Sequence, residues 1–195
     1  SVVEDWRSDA SFAHARVAGP NPLVIRQVEK PPANFPVTEA HFQKALPGDS
    51  LAAAGYEGRL FLCDYQALKD VHNGDFPGGL AKYSHAPLAL FATHKESRQL
   101  LPVAIQCGQQ PGPANPVFTP DDSIDWLMAR NVVQVADGNY HQAISHLGHT
   151  HMFIEPFVVV TQRQLADNHP LGILLRPHFQ GTLAINKSAV EDLAA

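Results

Sequence analysis

The sequence predicts a mainly α protein with a small antiparallel β region and one long central helix carrying a π-type bulge. Three observations lead there. Residues 1–120 hold 13 of the 16 prolines, and Gly and Pro break that part into short apolar runs. From residue 119 onward prolines are sparse and apolar residues recur at helical spacing. Within that helical part, His141, His146 and His151 stand five residues apart. The 195 residues therefore read as one domain, with a strand- and loop-rich part over 1–118 and a helical part over 119–195.

Short buried strands are expected at residues 59–65, 88–92 and 103–107, paired as a small antiparallel sheet. Loops are expected at 31–36, 74–79 and 108–116, with a short helix over 64–72. Thr119-Pro120-Asp121-Asp122 is a helix start: Thr119 to cap, Pro120 for the first turn, and acids facing the positive end. Helices follow over 123–136, 140–165, 170–175 and 180–193. Cys63 and Cys107 both end strand-like runs and are expected to be buried free thiols.

An apolar fraction of 45%, a charged fraction of 17% and a net charge of −5 describe a globular chain with material for a core. Nucleic acid is excluded as a partner, because phosphate binding needs clustered Lys and Arg. No apolar run reaches the roughly 18 residues that span a bilayer. The chain starts at Ser1 with no initiator Met and no signal peptide, so the expected start is processed or missing. Two free thiols mildly favour a reducing setting, expected to be cytoplasmic, without excluding an exported protein.

Six of the eleven histidines fall between residues 141 and 178: His141, His146, His149, His151, His169 and His178. Neutral imidazole is a common metal ligand. Helical ligand pairs usually stand three or four apart, whereas a spacing of five turns successive side chains by roughly 140°. A π-type turn, closed from i to i+5, returns a five-spaced pair to nearly one face. If His146 and His151 share a metal, the helix must bulge between them. His146 with His149, and His151 with Glu155, are the competing α-helical pairs. Zinc patterns fit poorly, since no Cys is near and His-Glu-x-x-His is absent. On spacing alone, histidines that satisfy polar contacts or face solvent remain the other reading.

The full series His141, His146, His151, His169, His178 resembles the histidine signature of the lipoxygenase family, the non-haem iron dioxygenases of polyunsaturated fatty acids. Neighbouring words resemble it too: Trp126-Leu127-Met128-Ala129-Arg130, Thr150-His151, Glu155-Pro156-Phe157, His169-Pro170-Leu171, Pro177-His178 and Ile185-Asn186. Upstream, Gly58-Arg59-Leu60-Phe61, Ala86-Pro87-Leu88-Ala89-Leu90-Phe91 and Leu101-Pro102-Val103-Ala104-Ile105-Gln106 look like the family's strands. The resemblance covers nearly the whole chain and identifies it as the N-terminal part of a catalytic domain.

That resemblance implies iron ligation by His146 and His151. It implies that His141 is structural and that Gln142 links the iron shell to the substrate cavity by hydrogen bonding. Leu147 would line the cavity and Leu193 would clamp the reactive part of the fatty acid. Ala189 falls where the family has Ala in enzymes of S stereochemistry and Gly in many of R stereochemistry. As bare residues, these apolar side chains read as ordinary core, and Gln142 as helix surface. The family's remaining ligands are a third His, a His or Asn four residues later, and a C-terminal Ile carboxylate. They are expected beyond residue 195, in the missing C-terminal part of the same domain. Ser188 stands where some animal members carry an Arg for the substrate carboxylate, and the N-terminal β-barrel of plant and animal members is not in this sequence.

The implied reaction takes hydrogen from a bis-allylic methylene of a polyunsaturated fatty acid and adds O2, giving a hydroperoxide. The resemblance also leaves room for peripheral membrane contact. Three other readings stand beside it: an inactive remnant, a fatty-acid- or metal-binding module, and an unrelated zinc hydrolase.

Overall fold

Apolar strands that cannot expose either face set the first architecture. In the computed structural model, residues 5–71 and 73–194 are described, with the side chains of Phe76, Asp192, Leu193 and Ala194 outside that description. Two compact units result, residues 1–140 and 141–195. The change of texture in the sequence falls near residue 120, so the first long helix belongs to the sheet-bearing unit.

In the first unit, α1 (Asp9–Ala18) is capped by the Ser8 hydroxyl, which accepts from the Ser11 N–H. Strand β1 (Ile25–Gln27) follows, then α2 (Glu39–Ala45), α3 (Leu51–Tyr56) and β2 (Leu60–Asp64). A small hairpin, β3 (Asp75–Phe76) and β4 (Leu80–Ala81), lies in the region expected to be loop around 74–79. Strands β5 (Leu88–Thr93), β6 (Leu100–Gln106) and β7 (Val117–Phe118) complete an antiparallel sheet of order β1-β2-β5-β6-β7. The helix expected over 64–72 is only a 3-10 turn, Gln66–Leu68.

Leu60, Leu62, Leu88, Leu90 and Ala92 pack with Phe35, Phe42, Leu46 and Ala54 in one core layer. On the other face Phe91 stacks on Phe12 of α1, ring centroids 5.6 Å apart. Central β5 is therefore buried on both sides, which is why it reads as an unbroken apolar run instead of an alternating one. Pro102 sits inside β6 without breaking it. Between Leu90 and Phe91 of β5 the partner steps from Ala104 to Pro102, leaving Val103 as a bulge, and β7 pairs only with Ile105 and Gln106. Cys63 is buried and Cys107 half-buried, both free; burial pushes the Cys63 thiol up to about 12.

Helix α4 (Ser123–Tyr140) follows a 3-10 turn, Pro120–Asp122. The Asp122 carboxylate reaches back to accept from the Thr119 N–H (2.6 Å) and hydroxyl (2.9 Å), so the start signal closes through the acid. The far end of α4 carries a buried polar cluster. Asp137 Oδ1 accepts from the Tyr65 hydroxyl at 2.7 Å and pairs with Arg16 at 3.3 Å; Arg16 also donates to the Tyr65 oxygen at 3.0 Å. Asn21 donates to the Asp137 carbonyl at 2.7 Å, and Arg16 reaches Gln134 as well. A second pair, Arg59 with Asp49 at 2.7 and 3.0 Å, ties the start of β2 to the turn before α3.

The second unit holds a π-helical segment (His141–Met152), α5 (Phe153–Gln164), α6 (Pro170–Leu175) and α7 (Thr182–Ala194), with a 3-10 turn at Arg176–Phe179. The stretch His141–Met152 is wound as a π helix, the widening expected if His146 and His151 are to face one side. No helix among the described residues is long and apolar enough to cross a membrane.

Removing one member of a buried pair strands the other. Asp137→Ala is expected to lower stability by about 3 kcal/mol in urea unfolding; an unchanged midpoint would contradict the cluster's role. Arg59 holds the Asp49 carboxyl below its ordinary value of 3.8, chiefly by hydrogen bonding. A lowered folded value means the pair's contribution is complete above pH 3.8 and is lost as pH falls through that folded value. The stability gap between wild type and Asp49→Asn should therefore be flat above pH 3.8 and shrink below it in acid titrations.

Candidate metal centre

Winding decides which histidines meet. In the π segment each turn is closed five residues on, and Thr150 marks this with a hydroxyl that donates to the Ser145 carbonyl at 3.0 Å. His141, His146 and His151 consequently form one row. The rings of His141 and His146 stack at 5.7 Å with 7° between planes, and those of His146 and His151 meet edge to face at 4.7 Å and 87°. Of the α-helical alternatives, Glu155 follows the π segment and shares the Asn186 amide with His151. His149 has no ring contact with the row and instead lines a groove with His151, Phe153, Ile154, His178 and Ile185, of about 570 Å³.

His146 and His151 each have an amide oxygen at Nδ1. Gln142 Oε1 lies 3.3 Å from His146 Nδ1, and Asn186 Oδ1 lies 3.0 Å from His151 Nδ1. An acceptor at Nδ1 takes the ring N–H and leaves the lone pair on Nε2, the arrangement in which imidazole donates to a metal. The donor set fits a metal ion as a partial site. Among the described residues no group of three or more His, Cys, Asp or Glu converges as a complete one.

The other expected residues are placed as follows. His141 is half-buried, its Nδ1 buried without a partner among the described residues, and stacked on His146. Gln142 is exposed, Leu147 and Ala189 are half-buried, and the side chain of Leu193 lies outside the described residues. His169 caps α6, its Nδ1 accepting from the Leu171 N–H at 3.2 Å. Sequence reasoning noted Asn186 only as part of a matching word. The structure gives it three hydrogen bonds: His151 Nδ1 at 3.0 Å, the His151 carbonyl at 3.0 Å and Glu155 Oε2 at 2.7 Å. A buried Asn 35 residues away in sequence carries no local signal of that contact.

A lipoxygenase family model matches residues 3–195. The chain is 46% identical, over 98% of its length, to the linoleate 9/13-lipoxygenase of Pseudomonas aeruginosa, and covers 29% of that protein. It is 43% identical over its whole length to mouse polyunsaturated fatty acid lipoxygenase ALOX8, again covering 29% of it. The structure of a calcium-dependent 11R-lipoxygenase superimposes with a TM-score of 0.85 at 39% identity, over 95% of this chain and 27% of the other. The chain belongs to the lipoxygenase family, and spans under a third of the length of these curated relatives.

If the His146–His151 pair is a donor pair, added Zn2+ should bind with an affinity that falls about tenfold or more in His146→Ala or His151→Ala. His149→Ala should leave it unchanged. Calorimetry checks this, and equal losses in all three variants would refute the pairing.

Proposed function

We propose that this chain supplies two of the metal ligands and part of the scaffold of a fatty-acid dioxygenase. His146 and His151 would hold a non-haem iron through Nε2, and the remaining ligands would come from residues outside these 195. The observation that carries the proposal is the edge-to-face approach of the two rings at 4.7 Å on a π-wound segment. Imidazole suits iron when joined by carboxylate donors and an open position. Held by His146 and His151 with the remaining ligands, iron would supply reversible one-electron redox chemistry, taking up an electron as a bis-allylic C–H loses its hydrogen and giving it back, with a proton, once O2 has added, so that a hydroperoxide results.

The chain's own residues would bind, orient and exclude. Gln142, hydrogen-bonded to His146, would tie the ligand to the substrate cavity. Leu147, Ala189 and Leu193 would shape that cavity, and His141 would buttress His146 by stacking. Relatives that include a linoleate 9/13-lipoxygenase and a polyunsaturated fatty acid lipoxygenase support polyunsaturated fatty acids as the substrate class. Phe153, Phe157, Ile173 and Leu174 are more than half exposed, which suits a helical unit that the rest of the catalytic domain covers. A second reading follows from the two-imidazole donor set: a module that binds metal or fatty acid without oxidising it.

His146→Ala and His151→Ala in the full-length protein should each lower iron content and hydroperoxide formation at least about a hundredfold. Elemental analysis and conjugated-diene absorbance measure the two. Wild-type turnover without bound iron would end the proposal, and iron binding without turnover would favour the second reading.

A further inference from the structure

Asn186 is 2% exposed, and its amide meets three partners, all in the π segment or the turn after it. Two of them, the His151 carbonyl and Glu155 Oε2, only accept, so the amide nitrogen must face them. The amide oxygen is thereby fixed towards His151 Nδ1, which must carry the ring proton. The tautomer of His151 is thus decided by an amide that cannot flip. His146 differs: its Nδ1 meets the exposed Gln142 amide, at a longer 3.3 Å.

The carbonyl contact has its own cause. In π register the donor to the His151 carbonyl is the N–H five residues on, and residue 156 is proline, which has none. Asn186 gives that carbonyl a donor at 3.0 Å where the widened winding runs out. One side chain therefore holds both the ring and the backbone of the same histidine.

We propose that Asn186, steered by Glu155, is a positioning residue that fixes His151 as the Nδ1–H tautomer and aims its Nε2 lone pair at the metal position. The claim rests on the metal reading above, but its first test does not. Nitrogen-15 NMR of the metal-free protein should show His151 almost wholly as the Nδ1–H tautomer. In Asn186→Leu this should become a mixture, while the His146 signals keep their wild-type pattern.

The second test titrates Co2+ alone into each variant. Asn186→Leu should bind about 10- to 100-fold more weakly than wild type. Asn186→Asp sets two carboxyl groups face to face and should weaken binding similarly. Adding Glu155→Gln to Asn186→Asp restores a donor–acceptor pair between the two side chains and should recover most of the loss. A purely structural role predicts no such recovery, and urea midpoints measured alongside separate the two. Wild-type tautomer and Co2+ affinity in Asn186→Leu, or no recovery in the double variant, would overturn the proposal. Wild-type protein that fails to bind Co2+ would instead defeat the metal reading, leaving the NMR result to judge the tautomer.

Discussion

Five-residue closure of the helix between His141 and Met152 is the constraint on which the candidate centre depends. In ordinary α winding the three evenly spaced histidines would point in three directions, and no two could share an ion. Widening the turn aligns them. It also carries a cost, since π winding is rare and poorly packed along its axis. The segment compensates with side-chain contacts: stacked imidazoles, the Thr150 hydroxyl on a carbonyl five residues back, and the Asn186 amide at its end.

Proline has a different role at each of its two interior positions. At Pro102 the missing N–H falls beside a bulge, on a stretch of β6 that β7 does not reach. At Pro156 it falls where π register would need a donor for His151, and the winding returns to α at Phe153. In both cases a residue that breaks regular structure sits where regular pairing is already interrupted. The polar groups follow the same logic. Asp137, Arg16 and Tyr65 are tolerable in the core only as a mutually bonded set, and burial pushes the Tyr65 hydroxyl well above its usual range.

Much of the fold could be read directly. The strands at 59–65, 88–92 and 103–107 emerged within a few residues, because apolar runs too short for a helix and bounded by Gly and Pro have few other uses. Helix α6 matched residue for residue, with Pro170 at its first turn. The short helices α1, α2 and α3 did not emerge. Two of them have only six or seven residues, too few for periodicity to register, although Thr38 and Ser50 stand as caps before them.

Composition and spacing alone determined that a widened helix was needed if His146 and His151 were to act together, and the family words agreed. That is a local matter, settled by the number of residues per turn. Only the tertiary structure could decide which nitrogen of His151 is held, because the group that holds it lies 35 residues away. The Nδ1 of His141, without a partner among the described residues, and the two-sided burial of β5 belong to the same class. Each depends on what packs against a side chain, and packing between distant segments leaves no periodic trace in a single sequence.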